Sequence, residues 1–526
     1  MKQKTKVIDL FAGPGGLGEG FSSLKNDFTI AISIEKDKSA HKTLLLRAFI
    51  RQFRTPPKEY YQFLKGELGE SPEDILFEIP KYKKQFEAAQ KEAQCLTLGE
   101  DNTKIKRAID EAVGLDDCII IGGPPCQAYS LAGRAKNANT KNYSAEADHR
   151  NFLYIEYMKK IARYQPKIFV MENVKGMLSA KVNQKPIFKQ ILNDLESPNY
   201  STNTPPQKGR KKFKYKIFSF SNIPKSSDLF GASELSPNDF IIKSELYNIP
   251  QNRHRVILFG IREDQVEFWS ENCILEKNTE NMISVKDVIS DLPKIRSGLS
   301  KEENSEKNWK DNLTSQSKSL IKELSKTKER SDLSEFLHTQ ILAFKPFKNS
   351  MGANRGLIKN KALKLNKIEL ENWYHDKKLG TYITNHQSRG HIKEDILRYF
   401  FVSSWAKLEY QKNKTSVSPK ASDFPSSLKP NHKNFDSGKF VDRFRVQKEN
   451  LPANTITSHI SKDGHHFIHP DPLQARSLTV REAARIQTFP DNYYFVGTRT
   501  EQYVQVGNAV PPYLASQIAK LVTHML

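Results

Sequence analysis

The chain has 526 residues, enough for a large core and for two or three domains. Lys and Arg number 82 against 60 Asp and Glu, and the resulting charge of +22 points to a polyanionic partner, most simply nucleic acid. Four cysteines without CxxC spacing exclude a disulfide framework, no apolar run approaches a membrane span, and Met1 to Lys6 opens without an apolar leader core, so a cytoplasmic protein with no membrane partner is expected.

Val7 to Phe11 reads as a first buried strand, followed by the glycine turn Gly13-Pro14-Gly15-Gly16-Leu17-Gly18 and a helix through Phe21 and Leu24. Phe28 to Ile34 is a second strand that ends at Glu35, twenty-two residues beyond Gly13. Glycines let a backbone approach a ligand closely, and an acid at that spacing takes a ribose diol, so this pair reads as a nucleoside-cofactor site. The spacing alone serves a nicotinamide dinucleotide as well as S-adenosylmethionine; Asp9 and Phe11, the latter with a face for adenine to stack on, lean to the methyl donor.

From Arg47 to about Asp116 the chain is charged and mostly helix-like. Cys118 to Gly122 is then an apolar strand that stops abruptly in Gly123-Pro124-Pro125-Cys126-Gln127. Two prolines fix φ before the sulfur and forbid a helix, so Cys126 is presented at the carboxyl end of a strand, where open α/β sheets place their chemistry. A buried structural thiol is the alternative for that sequence taken alone.

Phe152 to Tyr164 has helical periodicity, and Ile168 to Met171 is a strand that delivers Glu172-Asn173-Val174 to the same crevice. The basic cluster Lys208 to Lys216 reads as a solvated loop, with a nucleic-acid contact as the alternative. In Gln251-Asn252-Arg253-His254-Arg255, before the strand Val256 to Gly260, extended alternation sends Gln251, Arg253 and Arg255 to one face. Two guanidiniums there can hold a carboxylate and a base carbonyl in fixed forks.

Texture changes near residue 265. Glu302 to Glu335 is rich in Lys, Glu, Ser and Asn and reads as loop or exposed helix, and the stretch to about 440 has no dense βαβ pattern. Within it, His386 and His391 lack partners at metal-ligand spacing, so packing or phosphate contact is expected of them and no metal is expected. Regular character returns near Phe440. Asn508, in Gln505-Val506-Gly507-Asn508, reads as a turn residue or as an amide for a cofactor's amino-acid end, and Tyr513 to Met525 is a closing helix.

Phe11 to Gly16, Pro124 to Gln127, Glu172 to Val174, Gln251 to Arg255 and Gln505 to Asn508 occur in the order seen in DNA cytosine-5 methyltransferases, and Arg476 to Glu482 with Arg485 to Pro490 is similar to that family's penultimate motif. The resemblance covers roughly residues 5–35, 117–178, 245–262 and 440–526. It implies an α/β fold with a doubly wound, mostly parallel sheet of the S-adenosylmethionine-dependent, Rossmann-like kind, with an irregular target-recognition domain beside it. The implied domains are 1–265 for catalysis and cofactor (with an insertion at about 47–116), 266–440 for reading DNA, and 441–526 returning to pack on the first.

By the same resemblance Cys126 is the nucleophile, Glu172 binds the cytosine ring, Arg255 holds its O2 and Arg253 supports the carboxylate. Phe11, Gly13, Gly15, Gly16, Glu35, Pro124 and Asn508 line the S-adenosylmethionine pocket, and Gln127 to Arg134 is similar to the loop that closes over a flipped base. The adenine amine is expected against an acidic element, for which Glu100 and Asp101 are the nearest candidates. The implied partners are double-stranded DNA and a cognate restriction endonuclease acting on the same site, with the chain a monomer. A tRNA cytosine-5 methyltransferase is the alternative within the class, which the long recognition segment disfavours; a nicotinamide-dependent oxidoreductase is the alternative outside it and leaves Cys126, Glu172 and Arg255 without a joint role.

Overall fold

The computed structural model describes residues 3–125, 149–182, 185–223, 235–326, 330–359, 361–415, 417–430 and 443–526. Val/Ile-rich runs buried on both faces can satisfy their backbone only in a sheet, and such runs form the centre of an eight-stranded sheet here. The strands are β1 (Thr5–Leu10), β2 (Phe28–Glu35), β3 (Ala93–Cys95), β4 (Cys118–Gly122), β5 (Ile168–Val174), β6 (Tyr215–Ser219), β7 (Ile241–Lys243) and β8 (His254–Arg262). Their order is β3-β2-β1-β4-β5-β8-β6, with β7 also paired to β8. The first five are mutually parallel; β8 runs antiparallel to β5, β6 and β7.

The sheet is doubly wound. Ile8, Leu10, Ile32, Ile34, Ile120, Phe169 and Met171 point into one core layer with Ile105 and Ile109 of the helix Asn102–Val113 and with Tyr157 and Ile161 of His149–Tyr164. The opposite face carries the helix Gly16–Ser23, where Gly18 sits against Asp9 and Ile30, and the final helix Pro512–His524 packs on Gly16–Ser23. From β1 the chain winds outward to β2 and β3, then returns to start β4 on the other side of β1. That reversal opens a crevice at the carboxyl ends of β1 and β4.

The chain divides into two compact units: Met1–Pro57, Ser71–Asn281 and Ala509–Leu526 in the first, Lys58–Glu70 and Met282–Asn508 in the second. The expected boundaries were 265/266 and 440/441. Residues 58–70 and 443–508 belong to the second unit, and only the last helical segment returns to the first.

The second unit is irregular, with two-residue ladders and many single turns, but it has its own core. The helices Glu306–Ser325, Ser331–Leu342 and Lys393–Asn413 bury Trp309, Leu313, Leu320, Leu324, Leu333, Leu337, Phe400 and Phe401 together. The segment expected to be loop or exposed helix is therefore two packed helices: Trp309, Leu313, Leu320 and Leu324 form a narrow apolar stripe in a polar sequence.

The motif from Arg476 to Pro490 forms a buried helix, Val480–Ile486, capped by Thr479 and Glu482 in a capping box. Its arginines are structural. Arg476 grips Glu482 through two bonds of 2.7 Å. Arg481 donates to the carbonyls of Thr384 and Tyr493. Arg485 pairs with Asp491 at 2.5 Å and Asp291 at 3.1 Å, and Lys359 closes on Asp491 at 2.9 Å, all fully buried.

Candidate active site and cofactor pocket

Four parallel strand ends build the site within the first unit. After β1, Phe11 holds a left-handed backbone, φ 58°, and packs partly buried on the core, while the N–H of Ala12 donates to the carbonyl of Ile34 at 3.1 Å. The turn then closes on β2: the N–H of Gly13 donates to Glu35 Oε2 and the N–H of Asp37 to Oε1, both at 2.7 Å. Burial raises the Glu35 carboxyl above its ordinary range, and these two bonds oppose that rise. Gly15 has φ 96°, which favours glycine, and a Cβ on Gly16 would lie 2.3 Å from the carbonyl oxygen of Val510.

Among the described residues, nothing stands within 4 Å of where a Gly13 Cβ would be. An aromatic face at Phe11, open space over Gly13 and a carboxylate at Glu35 with lone pairs to spare suit an adenosine: ring, backbone approach and ribose diol. S-adenosylmethionine fits that donor set. The strand β3, which the sequence reading did not anticipate, extends this row: the N–H of Leu96 donates to the carbonyl of Glu35, so Leu98 to Asp101 follows directly beside the pocket. There Asp101 accepts from the N–H of Thr97 at 3.0 Å, and Glu100 is exposed.

Beyond β4, Gly123-Pro124-Pro125 leads to Cys126, which lies outside the described residues, as does the segment Gln127 to Arg134. The turn is held from β5: Asn173 Nδ2 donates to the carbonyl of Pro124 at 3.1 Å while its Oδ1 accepts from the N–H of Val174 at 2.8 Å. Glu172 stands next to it, so close that a Cβ on Gly123 would meet Glu172 Oε2 at 3.0 Å.

Across the antiparallel ladder Glu172 faces Ile257, which puts Arg255 diagonally opposite on the same face. Arg255 Nε and Glu172 Oε1 are 3.0 Å apart, with 18% and 14% of the two side chains exposed. Arg253 is buried, and its backbone N–H donates to Ser244 Oγ at 3.0 Å. Burial first, then the charge of Arg255, lowers the affinity of Arg253 for its proton, and Glu172 opposes both. Arg253 thus lies within reach of the charges of both Arg255 and Glu172, and Gln251 is buried.

Asp9 counts with Phe11 toward the methyl donor in the sequence, without a site role of its own. Asp9, on β1 beneath the glycine turn, is fully buried and its carboxyl is pushed up to about 8, by burial first, with Arg51 opposing and Glu35 adding. An acid inside the apolar run Val7 to Phe11 was the available signal. Asn508 is exposed at the end of the helix Arg499–Asn508, the last residue of the second unit before the chain re-enters the first at Ala509. His386 and His391 are buried in the second unit. His386 bonds Thr479 Oγ1 and the carbonyl of Pro293, both at 2.9 Å, and burial pushes its pKa down to about 4.

A doubly wound sheet with a nucleoside pocket at β1 and β2, beside a carboxylate–guanidinium pair at β5 and β8, defines a nucleoside-cofactor enzyme acting in its strand-end crevice. The family model for C-5 cytosine-specific DNA methylases matches residues 81–217 and 239–524. Type II methyltransferase M.Bpa9945I of Bacillus paralicheniformis is 31% identical over 99% of both chains. M.DdeI of Desulfomicrobium norvegicum is 25% identical over 98% of this chain and 88% of its own, and M.AgeI of Thalassovita gelatinovora 24% identical over 98% and 99%. The chain belongs to the C-5 cytosine-specific DNA methylase family. Its cofactor is S-adenosylmethionine and its reaction is methylation of DNA cytosine at carbon 5, which sets the nicotinamide reading of the glycine turn aside.

Proposed function

We propose that Cys126, Glu172 and Arg255, with Arg253 behind them, carry methylation of one specific cytosine in duplex DNA. The observation that carries this reading is the Glu172–Arg255 pair, seated against Gly123 three residues before Cys126. Carbon 5 of cytosine is a weak nucleophile. Addition of the Cys126 thiolate at carbon 6 makes the ring enamine-like and able to attack a methyl electrophile. When bound, S-adenosylmethionine supplies that methyl group.

Glu172 engages N3 and the exocyclic amine and stabilises the adduct by hydrogen bond or proton donation. Arg255 holds O2, and its guanidinium fixes the carboxylate's orientation. Loss of the C5 proton then expels the thiolate and gives 5-methylcytosine. Because these atoms are closed off inside a duplex, the base must leave the stack. Phe11, Gly13, Gly15, Gly16, Glu35, Pro124 and Asn508 are assigned to the cofactor, with Leu98 to Asp101 at the adenine amine.

The second unit is assigned to sequence reading, by base edges from its loops and phosphates from its Lys and Arg. The relatives' type II names support a modification role beside a cognate restriction endonuclease. The methylase is read as a monomer acting in a bacterial cytoplasm. The test is nucleoside mass spectrometry of duplex DNA incubated with S-adenosylmethionine. The wild-type chain should yield 5-methylcytosine, and Cys126→Ala none while still binding DNA; 5-methylcytosine formed by the alanine variant would refute the assignment.

A further inference from the structure

The basic run Lys208 to Lys216 has no place in the crevice. Tyr215, the first residue of β6, faces Arg262, and Ile261 faces Ile168, the first residue of β5. The N–H of Lys167 donates to the carbonyl of Cys118, the first residue of β4, at 2.9 Å. This is the amino-terminal edge of the parallel strands, and the length of β4 alone separates it from the crevice by about 17 Å.

The loop is anchored at that edge. The N–H of Gln207 donates to the carbonyl of Arg163 at 2.8 Å, Arg210 Nη2 to that of Asp116 at 2.7 Å, and the N–H of Phe213 to Gln165 Oε1 at 2.8 Å. The guanidinium of Arg262 lies 4.6 Å over the Phe213 ring. Of the nearby acids, Asp116 is engaged with Lys6, Asp117 with Lys167, Asp264 with Arg262 and Glu263 with the backbone N–H of Lys214, while the half-buried Glu196 lies within the fields of Lys216 and Lys214 without an ion pair among the described residues. Lys208, Lys211, Lys212 and Lys214 are exposed and form no ion pair among the described residues.

We propose that this edge is a second duplex-DNA surface, which holds the phosphate backbone of a segment other than the one whose cytosine enters the crevice. Ammonium heads on flexible stems accept phosphates without demanding sequence, and a fixed loop presents four of them at once. The proposal rests on the crevice being the reaction site, since only then is this edge remote from it.

The test compares the full chain with a K208Q/K211Q/K212Q/K214Q variant of unchanged melting temperature. Native mass spectrometry at low salt with a short, site-free duplex should find two duplexes per wild-type chain and one per variant chain. The logarithmic salt slope for that duplex should fall by about three to four. Single-turnover methylation of plasmid DNA should be unchanged.

One duplex per wild-type chain, or two per variant chain, overturns the proposal. Lost methylation in the variant also overturns it, by giving the lysines to the crevice, as does displacement by polyglutamate but not by duplex. Wild-type chain that binds two duplexes yet makes no 5-methylcytosine would count against the crevice chemistry and not against this surface.

Discussion

Glu172 and Arg255 meet diagonally across the β5–β8 ladder, Oε1 to Nε 3.0 Å, at the mouth of the turn that leads to Cys126. The pair joins two elements distant in sequence and leaves Glu172 Oε2 over Gly123. A carboxylate fixed in this way keeps one oxygen for the guanidinium and one for the site.

Removing the guanidinium should therefore damage chemistry more than folding. Arg255→Ala is expected to lower the single-turnover methylation rate by about 10²–10³, the usual cost of losing one preorganised charge or donor. Arg255→Lys keeps the charge without the fork and should fall between. Rapid-quench assays read both, and a rate within twofold of wild type for Arg255→Ala would remove it from the site.

Gly123→Ala tests the close approach. Its methyl would stand 3.0 Å from Glu172 Oε2, and that carboxylate is tied to Arg255, so the turn or the pair must shift. Methylation should drop at least tenfold with the melting temperature nearly kept. An unaffected rate would mean that the turn moves freely.

Asn173 holds Pro124 from β5, and its loss leaves the turn's carbonyl without that donor. Asn173→Ala should cost about 1–2 kcal/mol in denaturant unfolding and slow methylation as well, since the same bond positions the approach to Cys126. Loss of stability with an unchanged rate would make Asn173 a structural residue only.

Asp9 gives a pH signature. Its carboxyl is raised from 3.8 to about 8 in the fold, so between those values the folded chain keeps a proton that the unfolded chain has lost. Stability from this group is then greatest at low pH and falls as pH rises towards 8. Urea unfolding from pH 5 to 8.5 should show wild type losing stability relative to Asp9→Asn. Parallel curves for the two proteins would contradict the burial argument.

Arg485→Met should destabilise the second unit by about 3–5 kcal/mol, because Asp291 and Asp491 would remain buried with only the charges of Lys359 and Arg481 left to offset them. Calorimetry of the full chain reads this directly, and a change under 1 kcal/mol would show that the network relaxes.

Four of the five parallel strands were legible because each is a short, largely apolar run stopped by glycine, proline or an acid, and such runs have no other way to bury their backbone. The pairing of the glycine turn with Glu35 followed from spacing alone. The strand Ala93–Cys95 was not legible, since three residues carry no period and only the pairing with Ser33 to Glu35 makes them a strand. The helix Glu306–Ser325 hid its stripe among lysines and glutamates. The arginines of Arg476 to Arg485 read as motif residues; their burial depends on contacts with Ile295 and Asp291, 181 and 194 residues away, that no local pattern announces.

The most direct test of the central claim uses duplex DNA carrying 5-fluorocytosine, whose fluorine cannot leave as the C5 proton does. With S-adenosylmethionine present, the account predicts a stable covalent complex whose peptide map places the base on Cys126, and none with Cys126→Ala. A complex formed by the alanine variant, or mapped to another residue, would contradict it.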